Sequence, residues 1–256
     1  MRFLSVAHTD VGISKKINQD AFCLKIARIP SANIAFAVIC DGMGGLNDGE
    51  YASALVVNAF SRWFEQEFPL IANKNMDLNR VETQWNQIVQ EQGRKILEYG
   101  KQRSISLGTT LTALLILNTK FACIHVGDSR LYKITDKMQQ LTKDQTVAAY
   151  EVEQQRMTAS EAKSDRRSSV LLQCIGASKV IEPEQFTGTV AENEAFILCS
   201  DGFRHQISSE EMYGILAPNL LTSERIMKKS LVDLVELNKS RNEKDNITAI
   251  LIKAIR

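Results

Sequence analysis

The chain has 256 residues, with 31 Lys and Arg against 30 Asp and Glu, so its formal net charge is +1 with neutral histidines. At 44% hydrophobic and 24% charged the composition is globular and excludes a disordered chain, and the near-balanced charge argues against a nucleic-acid partner held by a basic face. No apolar run approaches the ~20 residues of a membrane span, and Met1-Arg2-Phe3-Leu4-Ser5-Val6 lacks a signal peptide's long apolar centre; a cytoplasmic protein with no membrane partner is expected.

In chain order, strands are predicted over Phe3–Ala7 and Asp20–Ile29. The apolar run Ile34–Cys40 suits a strand buried on both faces, and it is expected to break at Asp41-Gly42-Met43-Gly44-Gly45. Ala52, Leu55, Val56, Ala59, Phe60, Trp63 and Phe64 recur at three and four, predicting a one-faced helix from about Glu50 to Phe68. Leu78, Val81, Trp85, Ile88 and Val89 continue that period in a second helix, with Ile96 and Leu97 near its far end. Leu107–Leu117 and Phe121–Ile134 read as a hairpin around Asn118-Thr119-Lys120.

From Thr142 to about Ser169 the chain turns polar, with a capping-box pattern at Thr158 and Glu161, and reads as a surface excursion. Strands return at Phe186–Val190 and Ala195–Ser200; Ser208 with Glu211 opens a capped helix, Thr222–Asn238 carries an amphipathic one, and Ile247–Ile255 closes as a strand. With no repeats and no linker, the pattern predicts a single α+β domain over residues 1–256, its helices covering a pair of sheets. Cys23, Cys40, Cys123, Cys174 and Cys199 lack metal or disulfide spacing and read as buried thiols in a reducing compartment.

The chemistry is expected at aspartates placed where apolar tracts end. Asp41, Asp128 and Asp201 each follow a strand-like run, Asp245 precedes the last one, and Asp20 heads the second. Carboxylates meeting at one sheet edge would form an all-oxygen pocket that remains ionised only around hard cations such as Mg2+ or Mn2+. The glycine after Asp41 leaves its carbonyl free to join them. A single Asp-Gly is an ordinary turn dipeptide. The joint, ordered occurrence of several strings carries more: Thr9-Asp10-Val11-Gly12 with Asn18-Gln19-Asp20, Asp41-Gly42-Met43-Gly44-Gly45, Leu107-Gly108-Thr109-Thr110, Val126-Gly127-Asp128-Ser129-Arg130, Ser200-Asp201-Gly202 and Asp245-Asn246-Ile247-Thr248.

On those strings the chain resembles the metal-dependent protein phosphatases, the type two C serine/threonine phosphatases, in their compact bacterial form, from about Ser5 to Ile252. The resemblance implies a sandwich of two antiparallel sheets flanked by helix pairs, with a flap at about 142–169 beside the metal cleft. It implies hydrolysis of phosphoserine and phosphothreonine on proteins, opposing a cytoplasmic Ser/Thr kinase, by a hydroxide that bridges two Mn2+ or Mg2+ ions. Asp41 would bridge the ions, with the Gly42 carbonyl on the second; Asp201 and Asp245 would complete the first. Asp20 would hold the second through water, Gln19 would lie outside the ligand set, and Asp128 would help to hold a third, weaker ion. A monomer is expected.

Two departures matter. Where the family grips phosphate with Arg, this chain has Lys15, with Lys16 beside it; a lysine is a mobile point charge rather than a planar fork. Met43 stands where animal members have a histidine and cannot donate a proton. His8, His125, His205 and Arg130 are read as structural. Two alternatives accompany this reading: a regulatory phosphatase dedicated to one small phosphoprotein, and an inactive phosphoprotein-binding module that kept the fold. A two-metal nuclease should show a cationic track, which the +1 charge does not provide.

Overall fold

A computed structural model of the chain describes residues 1–30, 32–44, 48–72 and 77–256. Its first half runs β1 (Arg2–Asp10), β2 (Asp20–Ile29), β3 (Ala32–Gly44), α1 (Gly49–Gln66), the short α2 (Phe68–Ile71), α3 (Leu78–Arg103), β4 (Leu107–Thr109), β5 (Leu111–Leu117) and β6 (Lys120–Val126). The second half runs β7 (Arg130–Ile134), β8 (Met138–Gln140), α4 (Val147–Glu153), α5 (Ala159–Ser164), β9 (Glu184–Thr189), β10 (Ala195–Cys199), α6 (Ser209–Leu216), α7 (Glu224–Ser240) and β11 (Ile247–Ile255). One antiparallel sheet has the order β1-β11-β10-β7-β8; the other has the order β2-β3-β5-β6-β9, with β4 also pairing β3.

Side-chain alternation explains the layering. Along β3, Phe36, Val38 and Cys40 point into a core under the helices, while Ala35, Ala37 and Ile39 point into the core between the sheets. The strand is therefore apolar at every step, as a strand buried on both faces must be. Along β11, Ala249 and Leu251 face α6 and α7, whereas Ile250 and Ile252 face the other sheet. Over the β3 sheet lie α1 and α3, whose Phe64, Trp63 and Trp85 rings gather around Phe36, the Phe64 ring stacked at 4.7 Å. Four layers follow: helices, sheet, sheet, helices. The predicted α+β sandwich of two antiparallel sheets is what the structure shows.

Three expectations are corrected. β3 does not stop at Asp41; it continues to Gly44 because Gly42, Met43 and Gly44 pair with Thr109, Gly108 and Leu107 of β4. Leu107–Leu117 is two strands, parted at Thr110 where the chain bonds to the Asp41 backbone. Phe121–Ile134 is likewise not one strand. β6 and β7 lie in different sheets, and the chain crosses between them at Gly127, whose φ of +105° suits glycine alone. Gly45 of the predicted motif lies outside the described residues. Among the described residues, no helix is long and apolar enough to cross a membrane, and the five cysteines are free, four of them buried.

Candidate metal centre

The centre forms where the two sheets meet. Asp20 and Asp41 face each other across β2 and β3, which puts their side chains on one face. The Asp41 backbone is held on both sides: its N–H donates to Thr110 Oγ1 at 2.9 Å, and its carbonyl accepts the Thr110 N–H and the Thr109 hydroxyl, each at 2.9 Å. Thr110 Oγ1 also lies 2.9 Å from Ser129 Oγ, beside Asp128. Thr109 and Thr110 thus fix the Asp41 backbone. The Gly42 N–H donates to the Gln19 carbonyl at 3.1 Å, and that carbonyl also accepts the Ser53 hydroxyl at 2.6 Å.

The other sheet supplies Asp201 and Asp245. Ser200 connects the sheets: its hydroxyl donates to Asp20 Oδ2 at 2.9 Å, and Oγ accepts the Thr248 N–H at 3.0 Å. Asp201 opens a 3-10 turn, Asp201–Phe203. Gly202 lets that turn lie close to the segment before β11, where a methyl group on it would meet the Asp245 Cβ at 3.3 Å. Asp245 Oδ1 accepts from the Lys15 ammonium at 3.0 Å, and both side chains are part-exposed. Asn246 ties the Lys15 loop down: its Oδ1 accepts the Gln19 N–H at 2.8 Å, and its Nδ2 donates to the carbonyls of Val11 and Ile17.

These carboxylates feel one another. Burial pushes the Asp41 carboxyl well above the usual range, and the charges of Asp20, Asp201, Asp128 and Asp245 push it the same way. Burial raises Asp20 to about 7; the hydroxyls of Thr248 and Ser200 pull it back while Asp201 and Asp245 add to the rise. Burial also raises Asp128 to about 7, Asp201 adding and Arg204 opposing.

Two carboxylate oxygens, Asp20 Oδ1 and Asp201 Oδ1, are buried without a hydrogen-bond partner. Buried lone pairs of that kind are costly and call for a partner, and oxygen donors crowded with like charges suit a hard divalent cation. The donor set therefore fits. As the chain stands alone, no group of three or more His, Cys, Asp or Glu side chains among the described residues is closed into a ligand set, and Lys15 is the cation in contact with Asp245.

Asp128, buried between β6 and β7, faces a guanidinium: Arg204 Nη2 lies 3.0 Å from its carbonyl oxygen and 3.7 Å from its Oδ2. His125 is structural, with Nδ1 2.9 Å from Thr112 Oγ1 and Nε2 3.0 Å from the Lys143 carbonyl. His8 contacts Lys228. Arg130 grips Asp144 with two bonds, at 2.7 and 2.6 Å, the structural role expected of it. His205 lies between the carboxylates of Asp201 and Glu243, at 3.4 and 3.5 Å. Sequence reasoning missed Ser200 as the link, Asn246 as the staple, and Arg204, Asp144 and Glu243 altogether. Arg204 alone had a signal, three residues beyond Asp201.

A family model described as protein phosphatase 2C matches residues 11–249. The chain belongs to that family, and with it to the protein serine/threonine phosphatases. It is 28% identical over 219 residues to a serine/threonine phosphatase, stp, of Listeria innocua, covering 84% of this chain and 83% of that one. The S. agalactiae serine/threonine phosphatase superposes with a TM-score of 0.84 at 25% identity, covering 98% of this chain and 99% of its own. The catalytic domain of the phosphatase PstP, solved with two manganese ions, shares the fold with a TM-score of 0.78 at 24% identity over 99% of both chains.

Proposed function

We propose that the chain removes phosphate from phosphoserine and phosphothreonine in cytoplasmic proteins, opposing a Ser/Thr kinase, with two divalent ions, Mn2+ or Mg2+, at the junction of the sheets. Asp41, the Gly42 carbonyl, Asp201 and Asp245 would hold them, with Asp20 acting through water. The observation that carries this reading is the pair of buried, unpartnered oxygens on Asp20 and Asp201, set among carboxylates that raise one another's proton affinity. When bound, the ions supply an acidified water and neutralise charge on the phosphoryl oxygens.

The chain's own groups do the rest. The backbone bonds at Thr109 and Thr110 hold Asp41 in place without adjustment during reaction. Lys15, on a loop stapled at both ends by Asn246, would exchange its Asp245 contact for a phosphoryl oxygen. Met43 carries no transferable proton and His125 is enclosed by Thr112 and Lys143, so neither protonates the departing seryl or threonyl oxygen. Solvent supplies that proton. The segment 142–169, with α4 and α5, is rooted beside Asp128 through the Gln145 N–H on the Gly127 carbonyl at 2.8 Å, and it would present the protein substrate to the cleft.

The test compares p-nitrophenyl phosphate and a phosphothreonine peptide in Mn2+, Mg2+ and EDTA, for wild type, Asp41→Ala and Asp201→Ala. Peptide turnover is expected only with metal and only in wild type. Turnover that survives EDTA overturns the reading, and so does metal-dependent cleavage of a phosphodiester in place of the peptide.

A further inference from the structure

Two acidic corners share the turn from Asp201 to Arg204, and their charge balance differs. At the sheet junction, among the described residues, the four carboxylates of Asp20, Asp41, Asp201 and Asp245 are met by the Lys15 ammonium at Asp245 and the His205 imidazole at Asp201. At the foot of the 142–169 segment, Asp128 and Asp144 are met by two guanidiniums. Arg130 holds Asp144 bidentately. Arg204 reaches both carboxylates, its Nη2 lying 3.7 Å from Asp128 Oδ2 and 3.4 Å from Asp144 Oδ2, and it donates to the Asp128 carbonyl at 3.0 Å.

Arg204 is not a stray surface side chain. Its side chain is 12% exposed and those of Asp128 and Asp144 are 7% and 16% exposed. The Arg204 N–H donates to the Asp201 carbonyl at 3.0 Å, closing the same turn that presents Asp201 to the junction. The guanidinium is thus built from a metal-site turn and aimed at the neighbouring corner. Unlike an ammonium or imidazole it stays charged at any working pH.

We propose that Arg204 fills, with a fixed organic cation, the place at Asp128 that the resemblance gives to a third divalent ion, so that the centre takes two ions and Asp128 ligates neither. The proposal rests on the two-ion reading above. A divalent ion bound to Asp128 would sit against the guanidinium, and displacing Arg204 would leave a desolvated charge facing Asp144 with no gain in hydrogen bonding. The junction has the reverse balance, an excess of carboxylate and two unpartnered oxygens. The same guanidinium, touching both the Asp128 turn and Asp144, joins the metal-bearing turn to the root of the 142–169 segment, a connection that a diffusible ion would make only while bound.

The experiment counts Mn2+ bound to the full chain, by the loss of the free-ion paramagnetic resonance signal and by calorimetry. Wild type takes up two equivalents. Asp128→Asn also takes up two, with affinities within about threefold of wild type, against the 10–100-fold loss usual when a group that orients metal ligands is removed. Arg204→Lys keeps the count at two. Arg204→Met uncovers a third, weaker equivalent, which Asp128→Asn removes when the two changes are combined. A third equivalent in wild type that Asp128→Asn abolishes overturns this inference and leaves the phosphatase reading standing. Wild type that binds no Mn2+ overturns both. A folded Arg204→Met that stays at two also overturns it, and if that variant fails to fold, the comparison of wild type with Asp128→Asn decides.

Discussion

Asn246 offers the sharpest test of how the fold holds the loop that carries Lys15. It is buried, at 3% exposure, and spends its whole amide on residues 11–19: Oδ1 accepts from the Gln19 N–H at 2.8 Å, and Nδ2 donates to Val11 at 2.9 Å and Ile17 at 3.2 Å. Asn246→Ala removes all three bonds. At about 1 kcal/mol net for each, the loss is about 3 kcal/mol; the loop groups left behind are near enough to the surface for water to reach them. In a chain of this length each kcal/mol moves Tm by about 2–4 °C, so scanning calorimetry should record a fall of about 6–12 °C. Because the loop carries Lys15, KM for p-nitrophenyl phosphate should rise more than kcat falls. Asn246→Asp keeps the acceptor for Gln19 and loses both donors, so it should lie between. A Tm drop below about 2 °C together with an unchanged KM would refute the reasoning.

Other expectations can be checked in parallel. Lys15→Arg should lower KM for a small phosphate ester, because a planar fork holds a phosphoryl group in two places where an ammonium holds it in one; a higher KM counts against Lys15 as the phosphate contact. Gly202→Ala would drive a methyl into the Asn246 carbonyl oxygen and against the Asp245 Cβ. It should destabilise the chain by about 1–3 kcal/mol and weaken Mn2+ binding by calorimetry, and full retention of both sinks the close-packing argument. Burial depresses the His125 pKa below its ordinary 6.5, against the opposite pull of Glu184, the Lys143 and Gly127 backbone bonds, and Asp144. The unfolded chain therefore takes up this proton first, so His125 costs stability as pH falls from about 6.5. Tm measured from neutral to pH about 5 should fall less steeply in His125→Gln than in wild type; equal slopes would show that the buried ring is not responsible.

Local grammar carried most of the fold. β2 and β11 have the bounds expected of them, because their alternation and flanking turns are written in consecutive residues. Both capping boxes, Thr158 with Glu161 and Ser208 with Glu211, form as their spacing implies, each hydroxyl taking a backbone N–H three residues on. The errors lie where a distant partner decides. Nothing within Phe121–Ile134 says that the chain changes sheets at Gly127, since β7 is claimed by β10 some sixty residues later. β3 outruns its apolar tract because β4 waits to pair with it. For the centre, the aspartates were legible as chemistry, but the groups that set them in place were not. A serine and an asparagine become a sheet-to-sheet link and a loop staple only through partners far along the chain, and such pairing leaves no trace in spacing. Asp144 is as silent, reading as an ordinary surface charge until the turn at Asp201 and the foot of the 142–169 segment come together, and Arg204 offers only its place three residues beyond Asp201.

The segment between residues 145 and 172 is attached like a drawer on two rails. The Gln145 N–H donates to the Gly127 carbonyl, the Gln145 carbonyl accepts the Leu172 N–H, and the Val147 N–H donates to the Val170 carbonyl, each at 2.8 Å. All of these bonds sit at the two ends and join backbone to backbone; the Gln145 side chain adds to them, its Oε1 accepting the Gly127 N–H at 2.8 Å. The contents between them can therefore be lengthened or recharged while the carboxylates at the sheet junction stay as they are. On the proposed reading, selectivity and chemistry would lie on separable stretches of one chain, joined by main-chain bonds, the Gln145 amide and the Arg130 and Arg204 guanidiniums.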